Sequence, residues 1–349
     1  MNNDELFSQV NITDDGAICL GKSLVCDGFE PGYKAAAFTH IHSDHISKSF
    51  ETCMHQYDVY TSKITGELLE TITDDTYIGR TQFHQIDYDS PQMIKYDGKG
   101  DLLTLIESKH MLGSSQVYLQ THDKLKILYS GDISPDDHPP KCDVLVVDST
   151  HGDPRFDKII DHPSLERRLL EVITESIDNG KPVCVHAHRG RLQHIMHLLS
   201  NHKDIPETVP FLSSKTEYQL SQIYHKYGIN VKDMIDLDSY DADEITHDNY
   251  PWIEFRSNSL ITKKEERGQM TNVAMMGGFG KATMMQGDNK CWIASDDHAE
   301  FTDLLRYVKE AEPQVVVTDN FRASFGDRLA EEINSIGFPT KSLPELKND

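Results

Sequence analysis

The pattern of apolar and polar positions changes twice along the chain. Before Pro163 it shows short apolar runs separated by polar turns, which is typical of β-strands. The predicted strands of this part lie at 35–39, 102–106, 116–119, 125–129 and 144–147. Because such strands occur together with helical segments, the pattern predicts a layered α/β sandwich.

From Pro163 onward, helical and strand-like segments alternate. Pro163 fits the first turn of a helix, apolar side chains then recur on one face, and Gly180 provides a stop. Two strand–helix pairs follow, with strands at 182–185 and 209–212, and the first of these helices begins near Arg191. This alternation predicts a small parallel α/β unit inserted into the sandwich.

The end of the chain is predicted to return to the sandwich. The acidic, turn-rich stretch 233–250 is interpreted as an exposed loop. Strands are then predicted at 291–295 and 315–318, and helices at 299–310 and 325–336. The predicted domains are 1–178 and 286–349, which together form the sandwich, and 179–285, which forms the inserted α/β domain.

The six residues 40–45, directly after the first apolar strand, concentrate metal-binding side chains. His40 and His42 lie two apart on an extended segment and therefore share a face, so both can bind one metal ion. Asp44 and His45 lie on the turn just beyond and can reach a second ion beside it. Imidazole and carboxylate suit zinc, with manganese or iron as alternatives.

Two further candidate ligands lie at the ends of predicted strands. His110 precedes a glycine turn, and Asp132 follows Gly131, which allows a close approach of the backbone. The carboxylate of Asp132 can bridge two cations about 4 Å apart. Either residue alone is weak evidence, but together with residues 40–45 they predict a two-metal site.

This series of side chains resembles the motifs of the metallo-β-lactamase superfamily. The residues that match its motifs in order, over roughly residues 20–150, are His40, His42, Asp44, His45, His110 and Asp132. The resemblance implies an αββα sandwich with two metal ions at one edge. Because that fold supports hydrolysis of thiolesters, lactones, β-lactams and phosphodiesters, the fold alone does not select the substrate.

Two later segments favour phosphodiesters as the substrate. Asp148 follows the strand 144–147, and His298 lies in the segment Ser295-Asp296-Asp297-His298-Ala299. Both segments, with the one that contains His110, resemble motifs of the β-CASP nucleases, which include Artemis and ribonuclease J. By this resemblance His298, oriented by Asp148, protonates the departing alkoxide. The predicted catalytic residues are Asp148, His298 and Asp44.

The chain departs from this family after the strand 315–318. Many members carry a histidine at this strand end as a ligand of the second metal, and by resemblance DNA-cleaving members tend to carry valine. Here Thr318, Asp319 and Asn320 occupy the position. Asp319 is predicted to supply the missing ligand, with a turn cap as the alternative.

Arg189 and Arg191 lie between a predicted strand and a predicted helix. The free N–H groups at the start of a helix favour phosphate, so these two arginines are the predicted nucleic-acid contacts. A solvated loop is the alternative interpretation.

Composition and charge modify this interpretation. The formal net charge of −23 is unfavourable for a nucleic-acid partner, because an acidic surface repels phosphate. The 6 cysteines are scattered without a C-x-x-C pair, which predicts buried thiols in a reducing compartment. No apolar run approaches the ~20 residues that span a bilayer, and the N-terminus lacks a secretory pattern. The sequence therefore predicts a cytoplasmic protein without membrane contact.

The predicted function is a metal-dependent nuclease that hydrolyses RNA or DNA through a hydroxide bridging two zinc ions, with manganese or magnesium as an alternative at the second site. One alternative is a thiolester or lactone hydrolase of the same superfamily, and another is a nucleic-acid-binding subunit with a degenerate site. The sequence does not distinguish RNA from DNA or endonuclease from exonuclease. It also leaves the oligomeric state open, a homodimer included.

Overall fold

The structure is a computed structural model, and residue contacts divide it into two compact units. Unit 1 comprises Met1–Asp157 and Asp297–Asp349, and unit 2 comprises Lys158–Asp296. Unit 2 is therefore an insertion in the sequence of unit 1. The residues described are 1–46, 49–75, 80, 82–157, 162–247, 250–257, 270–276, 285–287, 289–295 and 297–345.

The N-terminal part of unit 1 is rich in strands. The strands are β1 Val10–Ile12, β2 Ile18–Leu20, β3 Leu24–Cys26, β4 Ala35–Ala37, β5 Asp58–Ser62, β6 Phe83–Ile86, β7 Gln92–Tyr96, β8 Lys99–Glu107, β9 Ser115–Gln120, β10 Lys126–Tyr129 and β11 Val144–Val147. The helices are α1 Asn3–Phe7, α2 Ser43–Ile46, α3 Ser49–Gln56 and α4 Lys63–Thr73, followed by a 3₁₀ helix over Pro154–Phe156. β1 to β6 form one sheet in chain order, parallel from β3 onward.

Unit 2 is built on a seven-stranded sheet. Its helices are α5 His162–Asp178, α6 Arg191–Ser200, α7 Lys215–Lys226 and α8 Tyr240–His247. Its strands are β12 Val183–His186, β13 Phe211–Ser213, β14 Met234–Asp236, β15 Ile253–Arg256, β16 Thr271–Met276, β17 Met285–Gly287 and β18 Lys290–Ala294. The order is β14-β13-β15-β12-β16-β18-β17, and only the last pair is antiparallel among these described strands.

The C-terminal part of the chain completes unit 1. It contains α9 Phe301–Ala311, β19 Val315–Asp319, α10 Gly326–Ser335 and β20 Thr340–Leu343. β19 pairs in parallel with β11, so the second sheet of unit 1 has the order β20-β19-β11-β10-β9-β8-β7. Sequence-distant strand ends therefore meet at one edge of this sheet.

Unit 1 has a layered arrangement, with separate apolar cores on the two faces of its second sheet. In β10, Ile127 faces a core shared with Leu24 of the first sheet, whereas Leu128 faces a core shared with Leu304 of α9. This alternation arises because successive side chains of a strand point to opposite faces. On the first sheet, the ring of Phe50 in α3 lies 5.0 Å from Phe38 at the end of β4. The fold is mixed α/β with several sheets, which is the class that the sequence predicted.

Most predicted elements of the described residues agree with the structure to within about three residues, and 144–147 coincides with β11. The exposed loop predicted over 233–250 is wrong, because this stretch contains β14 and α8. Within α8, Asp241, Asp243 and Glu244 are exposed, while Ala242 packs with Leu212 and Trp252 in a small core. No helix of the described residues is long and apolar enough to cross a membrane.

Both domain boundaries differ from those predicted at 178 and 286. The helix α5 belongs to unit 2, because its apolar residues Leu169 and Ile173 pack in the same core as Val183 of β12. The strand β18 also belongs to unit 2, where it pairs in parallel with β16. The change of pattern in the sequence does not show which sheet a flanking element joins.

We predict that Leu304→Ala destabilises unit 1 strongly. Leu304 is fully buried between α9 and the second sheet, so its truncation removes apolar contact and leaves a cavity. The expected loss is roughly 2–5 kcal/mol in the free energy of unfolding, measured by urea denaturation. Thr302→Ala, on the exposed side of the same helix, should change it by less than about 0.5 kcal/mol. Equal losses in both variants would contradict the packing described.

Candidate metal centre

The first candidate ligands lie where the buried strand β4 ends. His40 and His42 follow it in extended conformation, and α2 then begins, with the N–H groups of His45 and Ile46 donating to the carbonyl oxygen of His42 at 3.0 and 3.1 Å. The short helix turns Asp44 and His45 back toward the strand end. The four side chains therefore lie close together.

Two loops of the second sheet bring His110 and Asp132 to the same place. His110 follows β8, and Asp132 follows β10 through Gly131. Gly131 has φ +59°, and a Cβ there would lie 3.0 Å from the carbonyl oxygen of Ser115. A residue with a side chain would be strained at this position and would push Asp132 away from the histidines.

Three imidazoles and one carboxylate converge on one point. The ligand atoms of His40, His42, His110 and Asp132 all lie within 4.8 Å of one another. Oδ2 of Asp132 lies 3.2 Å from Nε2 of His40 and 3.3 Å from Nε2 of His110. Nδ1 of His42 lies 3.0 Å from Nε2 of His40. Ligands about 2.0 Å from a tetrahedral zinc ion are about 3.3 Å apart. The group therefore fits zinc.

The other oxygen of Asp132 faces a second group. Oδ1 of Asp132 lies 3.1 Å from Nε2 of His45, and Oδ2 of Asp44 lies 3.7 Å from the same nitrogen. Nε2 of His45 is buried and makes no hydrogen bond within the described part of the chain. A buried imidazole nitrogen next to two carboxylate oxygens suits a second cation. Asp132 thus lies between two possible metal positions.

The ionisation of three of these groups, His40, His110 and Asp132, suits metal binding. Burial lowers the pKa of His40 well below its usual range and that of His110 to about 4, so both imidazoles are neutral at pH 7. Burial also disfavours charge on His45, but Asp132 and Asp27 outweigh it and raise its pKa to about 10. Burial raises the pKa of Asp132, but the imidazoles around it, His45 foremost, hold it well below normal. Asp132 is therefore ionised.

The sequence pattern did not single out Asp27, which orients His45. Its Oδ2 lies 2.8 Å from Nδ1 of His45 and accepts hydrogen bonds from the hydroxyls of Thr39 and Tyr129 at 2.7 and 3.0 Å. A carboxylate on the far nitrogen of an imidazole fixes its orientation and tautomer. The signal in the sequence that could have identified Asp27 is its position directly after the buried strand β3.

Asp148 and His298 form a pair beside this group. Nδ1 of His298 lies 3.0 Å from Oδ2 of Asp148, and its Nε2 lies 3.7 Å from Oδ2 of Asp132. Burial raises the pKa of Asp148, but His298 lowers it more, so the carboxylate is ionised and accepts from Nδ1–H. Nε2 is left facing Asp132. His151, which the motifs did not single out, is buried nearby with its ring centroid 6.1 Å from that of His298.

Asp319, the predicted additional ligand of the second metal, contacts Arg322 and the backbone of a turn. Oδ1 accepts from the N–H groups of Phe321 and Arg322 at 2.9 and 3.3 Å, and Oδ2 pairs with Nη1 of Arg322 at 2.8 Å. Both oxygens are thus engaged in a turn cap and a buried ion pair. This is the alternative that the sequence left open, and Arg322 is the cation that the sequence pattern did not consider.

The two arginines predicted to contact phosphate lie in unit 2, at the start of α6. Nε of Arg189 donates to Oε1 of the buried Glu217 at 2.9 Å, and Nη2 of Arg191 lies 3.7 Å from Oε1 of Glu166. Each guanidinium is therefore paired with a carboxylate. Their role in binding nucleic acid stays a prediction.

We predict that Asp319→Ala lowers stability and leaves the metal content unchanged. The variant loses the cap and leaves the buried Arg322 without its carboxylate, which costs roughly 3–5 kcal/mol. Elemental analysis should give the wild-type number of zinc ions in the folded variant. The matched Arg322→Ala variant should lose similar stability. A folded Asp319→Ala protein that has lost one metal ion would restore the ligand assignment.

No protein-family model matches the chain. The chain is 36% identical over 113 residues to an RNase J-like protein of Methanocaldococcus jannaschii, a match over 28% of this chain and 26% of that protein. It is 24% identical over 312 residues to a probable DNA ligase of Opitutus terrae, which covers 85% of this chain and 28% of the ligase. It is also 27% identical over 139 residues to an uncharacterised protein in a lig 3′ region of Acidianus ambivalens. That match covers 39% of this chain and 96% of the other protein.

The chain thus spans about a quarter of the length of the RNase J-like protein and of the probable ligase. Among solved structures, it is similar to a protein of unknown function from Enterococcus faecalis, with a TM-score of 0.56 and 14% identity over 91% of this chain and 81% of that one. That similarity concerns the fold alone. The weak sequence similarities, together with the cluster of histidines and aspartates, suggest a nuclease-like family.

Proposed function

We propose that the chain is a two-metal nuclease of the β-CASP type, with unit 1 as an αββα metallo-β-lactamase sandwich. The observation that carries the proposal is the position of Asp132. Its two oxygens face two separate groups of ligands, and His298, held by Asp148, lies 3.7 Å from it. An arrangement of two metal positions with an adjacent proton donor suits phosphodiester hydrolysis.

The residues divide into three roles. Those that would hold the first zinc ion are His40, His42 and His110, those that would hold the second are Asp44 and His45, and Asp132 would be shared. Two bound cations would supply hydroxide at neutral pH and neutralise charge on the phosphate. Zinc suits both positions, and manganese or magnesium is an alternative at the second because two of its three donors are carboxylates.

His298 supplies the proton for the leaving oxygen. The ionised Asp148 fixes Nδ1–H and stabilises the charged imidazole, so that Nε2 can carry the proton toward the metal ligands. A departing alkoxide requires such a donor. Hydrolysis of a small thiolester or lactone, the alternative of the same superfamily, does not need this pair.

The comparisons favour DNA as the substrate to be tested first. The similarity that extends over 85% of the chain is with a probable DNA ligase, whereas the RNase J-like similarity covers 28%. The net charge of −23 argues against attraction by the overall field, so binding would depend on local cations. Arg189 and Arg191 are the proposed phosphate contacts, if substrate displaces the carboxylates that now pair with them.

We predict about two zinc ions per wild-type chain by elemental analysis. Asp132→Ala should lose most of both, because the carboxylate is shared by the two groups of ligands. Asp136→Ala, which removes an exposed carboxylate from the same loop, should retain both ions. A folded wild type that holds no zinc after growth with ample zinc would refute the metal centre.

We predict that His298→Ala lowers turnover roughly 10²–10⁴-fold without loss of zinc. The assay uses zinc-loaded protein with end-labelled single- and double-stranded DNA and RNA. His84→Ala is the matched control, because His84 forms a 3.0 Å pair with Asp58 on the surface of unit 1, and its activity should equal that of the wild type. Absence of cleavage of all four substrates by the wild type would refute the nuclease, and cleavage by His298→Ala at the wild-type rate would refute the donor.

A further inference from the structure

A second buried aspartate, Asp137, lies five residues after the shared ligand Asp132 and has no place in the chemistry described so far. Only 2% of its surface is exposed. Its Oδ1 accepts from the N–H of Lys109 at 2.7 Å. Its Oδ2 accepts from the hydroxyl of Ser108 and the N–H of Ser134, both at 2.8 Å. One carboxylate therefore receives three hydrogen bonds.

These donors come from the two loops that carry metal ligands. Ser108 and Lys109 directly precede His110, and Ser134 follows Asp132 by two residues. The hydroxyl of Ser108 also accepts from the N–H of His110 at 3.3 Å. β8 and β10, from which the loops emerge, are separated by β9 in the sheet. Sheet pairing therefore does not join these loops, whereas Asp137 joins them directly.

The carboxylate is itself held in place. Nη2 of Arg306, on α9, donates to the carbonyl oxygens of Pro135 and Asp137 at 2.7 and 3.2 Å. The N–H of Ala299 donates to the carbonyl oxygen of Ile133 in the same loop at 2.5 Å. The loop that contains Asp137 is thus fixed to the chain around His298, and it offers a rigid support to the loop of His110.

We propose that Asp137 is a positioning residue that holds His110 and Asp132 at the separation the first zinc ion requires. In the structure Nε2 of His110 lies 3.3 Å from Oδ2 of Asp132, close to the spacing of two ligands on one tetrahedral ion. This inference rests on the metal centre proposed above. Without the link, the two loops would have to be ordered by the metal itself, which weakens binding.

The link requires a carboxylate rather than an amide. Two of the three groups that face Asp137 are backbone N–H donors, one at each oxygen, and they cannot accept a hydrogen bond. In Asp137→Asn the amide nitrogen would face one of them in either orientation. The substitution keeps the volume and removes the link, so it isolates the hydrogen bonds from packing.

Asp101 provides a matched control for the test. It is fully buried on β8, the strand that leads to Ser108, and its carboxylate accepts from the hydroxyls of Ser23 and Tyr96 and from the N–H of His122. These partners carry no metal ligand. Like Asp137→Asn, Asp101→Asn replaces a buried carboxylate that accepts three hydrogen bonds with an amide. It should nevertheless leave the metal centre intact.

The experiment measures zinc affinity of metal-free protein by competition with a chromophoric chelator, and thermal unfolding with and without zinc. Asp137→Asn should bind its tightest zinc ion about 10–100-fold more weakly than wild type, and Asp101→Asn should match wild type in affinity although both variants are less stable. Wild-type zinc affinity in Asp137→Asn would overturn the proposal, and so would an equal loss in Asp101→Asn.

A second variant keeps the test decisive if Asp137→Asn does not fold. Ser108→Ala removes one donor to Asp137 and should weaken zinc binding in the same direction but less, whereas unchanged affinity would overturn the proposal. Because zinc binding is measured without nucleic acid, the outcomes are separable. A wild type that binds zinc but cleaves no nucleic acid would refute the nuclease alone, and a wild type that binds no zinc would refute both.

Discussion

The carboxylate of Asp132 is the group on which the candidate site depends. It is ionised although it is buried, and nitrogens of His40, His42, His45, His110 and His298 surround it at 3.1–3.8 Å. A buried charge is costly unless opposite charge or hydrogen bonds compensate it. Here the imidazoles provide part of that compensation, and two cations would provide the rest. The five histidines that surround it come from three separate segments of the chain.

The topology of unit 1 makes this convergence possible. The segments that carry the ligands follow β4, β8 and β10, and the segment with Asp148 follows β11. Because β9 is antiparallel to both β8 and β10, and β10 is parallel to β11, the ends of β8, β10 and β11 lie at one edge of the second sheet. The end of β4, in the first sheet, is joined to the second sheet by the N–H of Ser115, which donates to the carbonyl oxygen of Thr39 at 3.1 Å. Loops at such an edge can carry polar side chains while the strands remain apolar. The strands therefore supply the apolar core, and the loops supply the polar side chains of the site.

Supporting carboxylates recur behind the candidate ligands. Asp27 fixes His45, Asp148 fixes His298, and Asp137 joins the loop of His110 to that of Asp132. Each of these carboxylates is buried. Each contacts a candidate ligand, the proposed proton donor, or residues next to a candidate ligand in the chain. Asp319 follows a strand end in the same way, but its partner is Arg322 and it stabilises a turn. Burial and position alone thus do not distinguish a ligand from a structural carboxylate.

The sequence by itself determined the features that depend on local patterns. Alternating apolar residues specified most strands, and the two-residue spacing of His40 and His42 specified a shared face, because both follow from backbone periodicity. The tertiary structure alone decided which elements pair. The role of Asp319 depended on Arg322 at its side, and that of Asp27 on His45, eighteen residues away. The affiliation of α5 and β18 with unit 2 likewise depended on the sheet each joins. These outcomes are set by contacts between distant segments, for which a single sequence carries no local signal.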